Sequence, residues 1–296
     1  MSILPLSSHI DFKVLARRLT QVENDLAGSD DILKNLKFGA EVPLIGITGP
    51  PGAGKSTLVA ALITELLKQQ KKIAVLAVDP TSPFNLGSLL GDRIRMATHY
   101  NHPDVFIRSI ATRGSVGGLS VKTIEMTDIL RSAGFDYVII ETVGVGQSEI
   151  DIAGLADITM VVLVPESGDE IQHIKSGLME IADVFVVNKA DREGADAFAA
   201  NIKKLVMQKH TDIPVFKTNA VTNIGVSEVA AYLLQATPKV NEKKLYLLTE
   251  KVYRLVQQKR MHAIKKTKLQ QLIAAALQKK DFNIYRFADE VNIKSS

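Results

Sequence analysis

Gly49-Pro50-Pro51-Gly52-Ala53-Gly54-Lys55-Ser56 reads G-x-x-x-x-G-K-S, the pattern of a phosphate-binding loop. Apolar Val42, Leu44, Ile45 and Ile47 lead into it, as expected for a buried parallel strand. Leu58, Ala61, Leu62 and Leu66 lead out on one helical face. A glycine-rich turn with a surface lysine would need neither flank. The glycines let backbone N–H groups turn inward around phosphate oxygens, and the helix N-terminus adds its dipole. The expected cradle is Gly52, Ala53, Gly54, Lys55, Ser56 and Thr57. Within it Lys55 supplies a point charge to the outer phosphates, and Ser56 a hydroxyl for Mg²⁺.

The 296 residues suit one large domain or two small ones, and 46% hydrophobic residues can bury a sizeable core. No apolar run approaches the ~18 residues of a membrane span. The start, MSILPLSSHIDFK, lacks a basic segment followed by a long apolar stretch, so no secretory signal is expected. The absence of cysteine excludes disulfides, thiolate metal sites and cysteine nucleophiles. It fits a reducing cytoplasm, the expected location. The net charge of +4 is uneven. From Val240 onward thirteen Lys or Arg face five Asp or Glu, an excess of +8, leaving −4 elsewhere. A basic tail can bind nucleic acid, but aromatic and Gly/Arg interleaving is missing. A solvated helical face or a docking surface is therefore expected, with neither nucleic acid nor membrane as partner.

Residues 8–37 read as helical, with Ile10, Val14, Leu15, Leu19 and Val22 at helical spacing and a break at Gly28-Ser29-Asp30. From Val42 strands and helices alternate, the signature of an α/β fold whose parallel sheet is covered on both faces. The expected strands are Ile73–Val78, Val105–Ile107, Tyr137–Ile140, Ile158–Val164, Val184–Val187 and Ile213–Phe216. A helix is expected to end near Ser132. Beyond Pro238, Leu245, Leu248, Val252 and Leu255, then Leu269, Leu272, Ile273 and Leu277, predict two helices with a narrow apolar seam.

Ligands of open α/β sheets bind at the carboxyl ends of the strands. Several strands here carry a polar residue there. Glu141 opens Glu141-Thr142-Val143-Gly144, where a phosphate-loop NTPase holds its metal-side carboxylate. Gly144 would offer a backbone N–H to the γ-phosphate, a contact whose loss on hydrolysis releases a switch loop. Asn188-Lys189-Ala190-Asp191 matches N-K-x-D. The Asp191 carboxylate can accept from guanine N1–H and the N2 amine, whereas adenine offers neither donor. The Lys189 stem can lie on the base plane. A hard cation wants oxygen ligands, for which Asp79, after the second strand, and Asp92, in a loop that could fold over the phosphates, are further candidates. Arg108, Arg113 and Lys175 could reach phosphate, a partner or only solvent. The six histidines show no ligand spacing.

With these motifs in place the chain resembles the MeaB/ArgK-type GTPases, G-protein chaperones of adenosylcobalamin-dependent methylmalonyl-CoA mutase. The human counterpart is the methylmalonic aciduria type A protein. The matching stretches are GITGPPGAGKSTL (46–58), VDPTSPFNLGSLLGDRIRM (78–96), FIRSIATRGSVGGLS (106–120), ETVGVGQSE (141–149), GDEIQHIKSG (168–177), ADVFVVNKAD (182–191) and TNA (218–220). They run in the family's order through nearly all of 42–235. The resemblance implies a helical extension over 1–41, a phosphate-loop GTPase domain over 42–236 and a helical C-terminal arm over 237–296 that makes a homodimer. It implies GTP/GDP and Mg²⁺ as cofactors, with Ser56, Asp79, Asp92 and Glu141 around the metal and Lys55, Glu141 and Gly144 serving hydrolysis. Asn188, Lys189, Asp191 and Ala220 would hold the base. Residues 106–120 and 141–149 would be switch loops, and 165–177, carrying Lys175, would relay the nucleotide state to an acyl-CoA mutase. The family usually has Ser-Ala where this chain has Asn219-Ala220. The Ala220 N–H can still meet guanine O6, but the loop lacks its serine anchor. Gln147 lies three residues beyond Gly144, too far for the water-positioning place of an adjacent glutamine, so slow intrinsic turnover is expected.

Three other readings compete. A kinase or ATPase energising basic-amino-acid transport is opposed by N-K-x-D, which selects guanine. A nickel-insertion GTPase would carry a cysteine metal site, and this chain has no cysteine. A nucleotide-gated scaffold would hydrolyse GTP only incidentally.

Overall fold

A computed structural model describes residues 10–38, 41–79, 96–111, 121–142, 152–165, 178–208, 212–236, 264–278 and 282–293, with scattered positions between 249 and 261. The chain divides into two compact units, Met1–Val240 and Asn241–Ser296.

In the first unit helix α1 spans Phe12–Glu23 and α2 spans Ser29–Lys34. The α1 start is set by Asp11, whose Oδ1 accepts from Lys13 N at 2.9 Å and Val14 N at 3.0 Å. There follow β1 (Leu44–Thr48), α3 (Lys55–Lys68), β2 (Ile73–Asp79), β3 (Val105–Ala111) and α4 (Val121–Arg131). The unit continues with β4 (Tyr137–Thr142), β5 (Ile158–Leu163), β6 (Val184–Val187), α5 (Ala195–Gln208), β7 (Val215–Lys217) and α6 (Val226–Gln235). The seven strands pair in the order β3-β2-β4-β1-β5-β6-β7, every pair parallel.

Alternation along the strands builds two faces. Ile45, Ile47, Ile73, Val75, Ile139, Val184 and Val186 pack with Leu58, Leu62 and Leu66 of α3 and Val226 and Val229 of α6. On the opposite face Leu44, Ala74, Leu76, Val138 and Ile140 pack with Leu15, Leu19 and Val22 of α1 and Met126, Ile129 and Leu130 of α4. Further along that face Val161, Leu163, Phe185 and Val187 meet Phe198, Ile202 and Val206 of α5. Because Tyr137 and Ile139 lie on the α3 side, alternation places Glu141 on that side too.

The first two helices belong to the same core. Phe12 of α1 meets Phe106 and Phe135 with ring centroids 5.5 and 6.2 Å away. Arg108 on β3 donates to Glu23 Oε2 at 2.6 Å and to the Ala16 carbonyl at 3.2 Å. Lys122 at the start of α4 bridges Asp25 and Glu125 at 2.5 and 2.8 Å. These ion pairs hold the end of α1 against both β3 and α4.

In the second unit α7 spans Lys266–Ala276 and α8 spans Ile284–Ile293. The first carries Leu269, Leu272 and Ile273 of the second expected helix, while Leu245 and Leu248 of the first expected helix lie outside the described residues; α8 was not anticipated. Asn283 Oδ1 caps α8 by accepting from Tyr285 N and Arg286 N at 3.0 and 3.2 Å. No residue of α7 is buried. Among the described residues no helix is long and apolar enough to cross a membrane.

Candidate nucleotide site

The sheet order gathers the sequence-selected residues along one edge. β1 is central, so the loop that leaves it, Gly49–Ser56, opens at the middle of the carboxyl-end rim. On one side stand β4 with Glu141 and β2 with Asp79; on the other stand β6, followed by Asn188-Lys189-Ala190-Asp191, and β7, followed by Thr218-Asn219-Ala220. The strands ending in acidic residues and those followed by N-K-x-D and Thr218-Asn219-Ala220 thus flank the phosphate loop on opposite sides.

Two of the loop's glycines, Gly49 and Gly54, are dictated by close approach. Gly49 sits at φ 136°, and a Cβ there would lie 2.0 Å from the Val162 carbonyl oxygen. Gly54 caps α3 at φ 83°, and its Cβ would lie 2.5 Å from Asn188 Nδ2. No L-side chain satisfies either position without strain. Gly52 and the buried Ala53 complete the turn, and Thr57 is half-buried in the first turn of α3.

Lys55 is buried, 6% exposed, and its Nζ donates to the carbonyls of Gly49 and Pro50 at 2.7 and 2.8 Å. The ammonium is thereby held across the mouth of its own loop. Ser56 Oγ donates to Glu141 Oε1 at 2.6 Å, and both side chains are buried. Beneath them Thr48 and Thr142, at the ends of β1 and β4, meet Oγ1 to Oγ1 at 3.0 Å. The structure thus unites Lys55, Ser56 and Glu141. Asp79 closes β2 opposite Ala111. Asp92 and Gly144 lie outside the described residues, as do Arg113, Gln147 and Lys175. Arg108, one of the phosphate candidates, is engaged by α1 instead.

On the other flank Asn188 is 2% exposed and bonds to protein in three directions. Its Nδ2 donates to the Ala53 carbonyl at 2.9 Å. Its Oδ1 accepts from Thr218 Oγ1 and from Ala220 N, each at 3.1 Å. The Ala220 N–H, expected at guanine O6, here donates into this stitch. One side chain joins the phosphate loop to the loop after β7. Lys189 adopts φ 56°, and Ala190 N donates to the Thr218 carbonyl at 2.9 Å. That bond turns the chain so that Asp191 lies exposed at the rim.

The sequence reading found no anchor for the β7 loop; the structure supplies one. Asn219 Nδ2 donates to Asp191 Oδ1 at 2.9 Å. Thr48, Thr142 and Thr218 were also missed. Each immediately follows, or closes, an apolar strand beside a motif residue, and that position was the available signal. The arrangement offers an anion cradle with a lysine, a paired hydroxyl and carboxylate suited to a hard cation, and an exposed acceptor carboxylate on the far flank.

A sequence model of the family described as methylmalonyl Co-A mutase-associated GTPase MeaB matches residues 15–280. A predicted GTPase of Pyrococcus abyssi is 42% identical over 299 residues, covering 95% of this chain and 92% of its own. The methylmalonic aciduria type A homolog of Caenorhabditis elegans, a mitochondrial protein, is 45% identical over 161 residues, covering 53% of this chain and 40% of its own. A crystal structure of the LAO/AO transport system kinase superposes with a TM-score of 0.57 at 24% identity, covering 97% of this chain and 94% of that one. That likeness carries the fold. With the phosphate loop, N-K-x-D and a family match over nearly the whole length, the chain belongs to the MeaB family of methylmalonyl Co-A mutase-associated GTPases and is a guanine-nucleotide-binding GTPase.

Proposed function

We propose that this GTPase is a chaperone that gates cobalamin delivery to, and protects, an adenosylcobalamin-dependent methylmalonyl-CoA mutase or a related acyl-CoA mutase. The observation that carries the nucleotide half is Asn188, which links the Ala53 carbonyl of the phosphate loop to the Ala220 N–H beside Asp191. A base bound at Asp191 would thereby be set against phosphates bound at the loop. The partner half rests on the family description and on the worm relative's name.

GTP would lie along the rim, its phosphates on the N–H groups of 52–57 and its guanine on Asp191, with the Lys189 stem against the ring. Lys55 would leave the Gly49 and Pro50 carbonyls for the outer phosphate oxygens. The donor set fits Mg²⁺: a hydroxyl and a carboxylate, both oxygen and already 2.6 Å apart, with phosphate oxygens to complete the shell. Ser56, Glu141, Asp79 and Asp92 would hold that ion, which when bound would neutralise charge on the β- and γ-phosphates. Gly144 would contact the γ-phosphate. The second unit, with Val252, Tyr253, Leu277, Ile284 and Tyr285 exposed, would cover these apolar side chains in a homodimer. The protein would act in the cytoplasm.

The decisive experiment is GTP turnover with and without a cobalamin-dependent acyl-CoA mutase, for wild type and Lys175→Ala. Stimulation by the mutase, reduced in the variant, is expected. Equal stimulation in both removes Lys175 from the relay. No stimulation, with unchanged GTP affinity, overturns the chaperone reading.

A further inference from the structure

We propose that Asn219 is a positioning residue that fixes the Asp191 carboxylate for two-pronged recognition of guanine; this rests on Asp191 reading the base. The inference comes from how the Asn219 amide is held. Its Oδ1 accepts from Val221 N at 3.1 Å and Thr222 N at 3.3 Å. Only the oxygen of an amide can accept, so these two backbone donors decide which end is which. The NH₂ end must then face Asp191 Oδ1, where it lies at 2.9 Å. The loop itself is closed by Asn219 N to the Ile224 carbonyl at 2.9 Å and Ile224 N to the Asn219 carbonyl at 3.2 Å. Asn219 is therefore anchored by its backbone, by its side-chain oxygen and by its side-chain nitrogen.

A serine hydroxyl at this place could rotate, and could donate or accept. The locked amide only donates. It occupies one of the roughly four acceptor positions of the Asp191 carboxylate and fixes that group's rotation about Cβ–Cγ. Guanine presents two adjacent donors, N1–H and the N2 amine, which need both carboxylate oxygens in the base plane. Hypoxanthine presents N1–H alone and tolerates a rotated carboxylate. Fixing the rotation therefore favours guanine over hypoxanthine, beyond any general gain in affinity.

The test is equilibrium binding of GTP, ITP and XTP to the full chain. Asn219→Asp keeps the acceptor for Val221 and Thr222 but replaces the donor with a carboxylate facing Asp191. The GTP-to-ITP affinity ratio should fall about tenfold, the scale of one lost bond to a charged group. Asn219→Ser, which restores a donor, should stay within about threefold of wild type. Should Asn219→Asp not fold, the contrast of Asn219→Ala with Asn219→Ser makes the same test. A ratio unchanged in the donor-less variants, or equal losses for GTP and ITP, overturns the role of Asn219. Asp191→Asn separates the two claims. It should weaken GTP and favour XTP, because Asn presents a donor to the xanthine carbonyl. If Asp191→Asn keeps wild-type GTP affinity, the reading of the base by Asp191 fails and the inference falls with it.

Discussion

Ser56 Oγ donates to Glu141 Oε1 at 2.6 Å although the residues are 85 positions apart and lie on different elements. β4 pairs beside β1 with Glu141 level with Ile47, so the carboxylate stands one strand away from the start of α3. Glu141→Gln keeps the shape and a hydrogen bond but removes the charge. GTP turnover should fall by at least about a hundredfold, since the Mg²⁺ environment loses an anionic oxygen donor. GDP binding without metal should change little. Titration of turnover against Mg²⁺ is the measurement; a wild-type profile in the variant would remove Glu141 from the metal environment.

Asn188→Ala strands the Ala53 carbonyl, the Thr218 hydroxyl and the Ala220 N–H at once. Leaving such groups unsatisfied costs about 2–4 kcal/mol together, or roughly 5–15 °C in the melting temperature of a unit this size. The loss should appear without nucleotide. A melting temperature within about 2 °C of wild type would mean that water replaces the amide.

A chain ending at Thr237 lacks the second unit and its exposed apolar side chains. It should sediment as a monomer while still binding GDP, because the phosphate loop and Asp191 lie before the cut. A dimer that persists after truncation would place the interface on the sheet unit.

His99 closes a helical turn, Ala97–His99, and its Nε2 lies 3.0 Å from the Ala60 carbonyl and 3.3 Å from Thr64 Oγ1. Burial pushes its pKa below the ordinary imidazole range, against the pull of the Ala60 carbonyl. The unfolded chain thus binds this proton more readily than the folded one. Stability should be intact above the ordinary value of 6.5 and should decline as pH falls below it. Melting curves from pH 7.5 to pH 5 should show a smaller decline in His99→Gln. Parallel declines in the two proteins would assign the effect to other groups.

The phosphate loop and the strands beside it were legible because burial on both faces makes their runs uniformly apolar. Where a polar side chain enters a strand, the reading stopped early. β4 extends past Ile140 because Glu141 and Thr142 stay in register with Ala77 and Val78, their side chains satisfied by Ser56 and Thr48. β3 extends past Ile107 because Arg108, on an edge strand, finds Glu23 of α1. Neither partner lies near in sequence, so no local pattern could reveal it. The base-side flank shows the same limit. N-K-x-D marked Asp191, but the bond from Asn219 spans 28 residues and replaces a serine by a residue of different shape.

The central place of β1 also governs how the chain is made. Its two neighbours are β4 and β5, with Leu44 opposite Val138 and Ile45 opposite Ile158. Both come later in the sequence. At a synthesis rate of about 5–20 residues per second, Ile158 follows Ile45 from the ribosome by roughly 6–23 s. Until β4 emerges an apolar strand has neither partner, and until β5 emerges the carbonyl of Val162 that shapes the turn at Gly49 does not exist. The first motif translated is thus among the last completed, and a nascent chain stalled before β5 cannot engage nucleotide to steady itself.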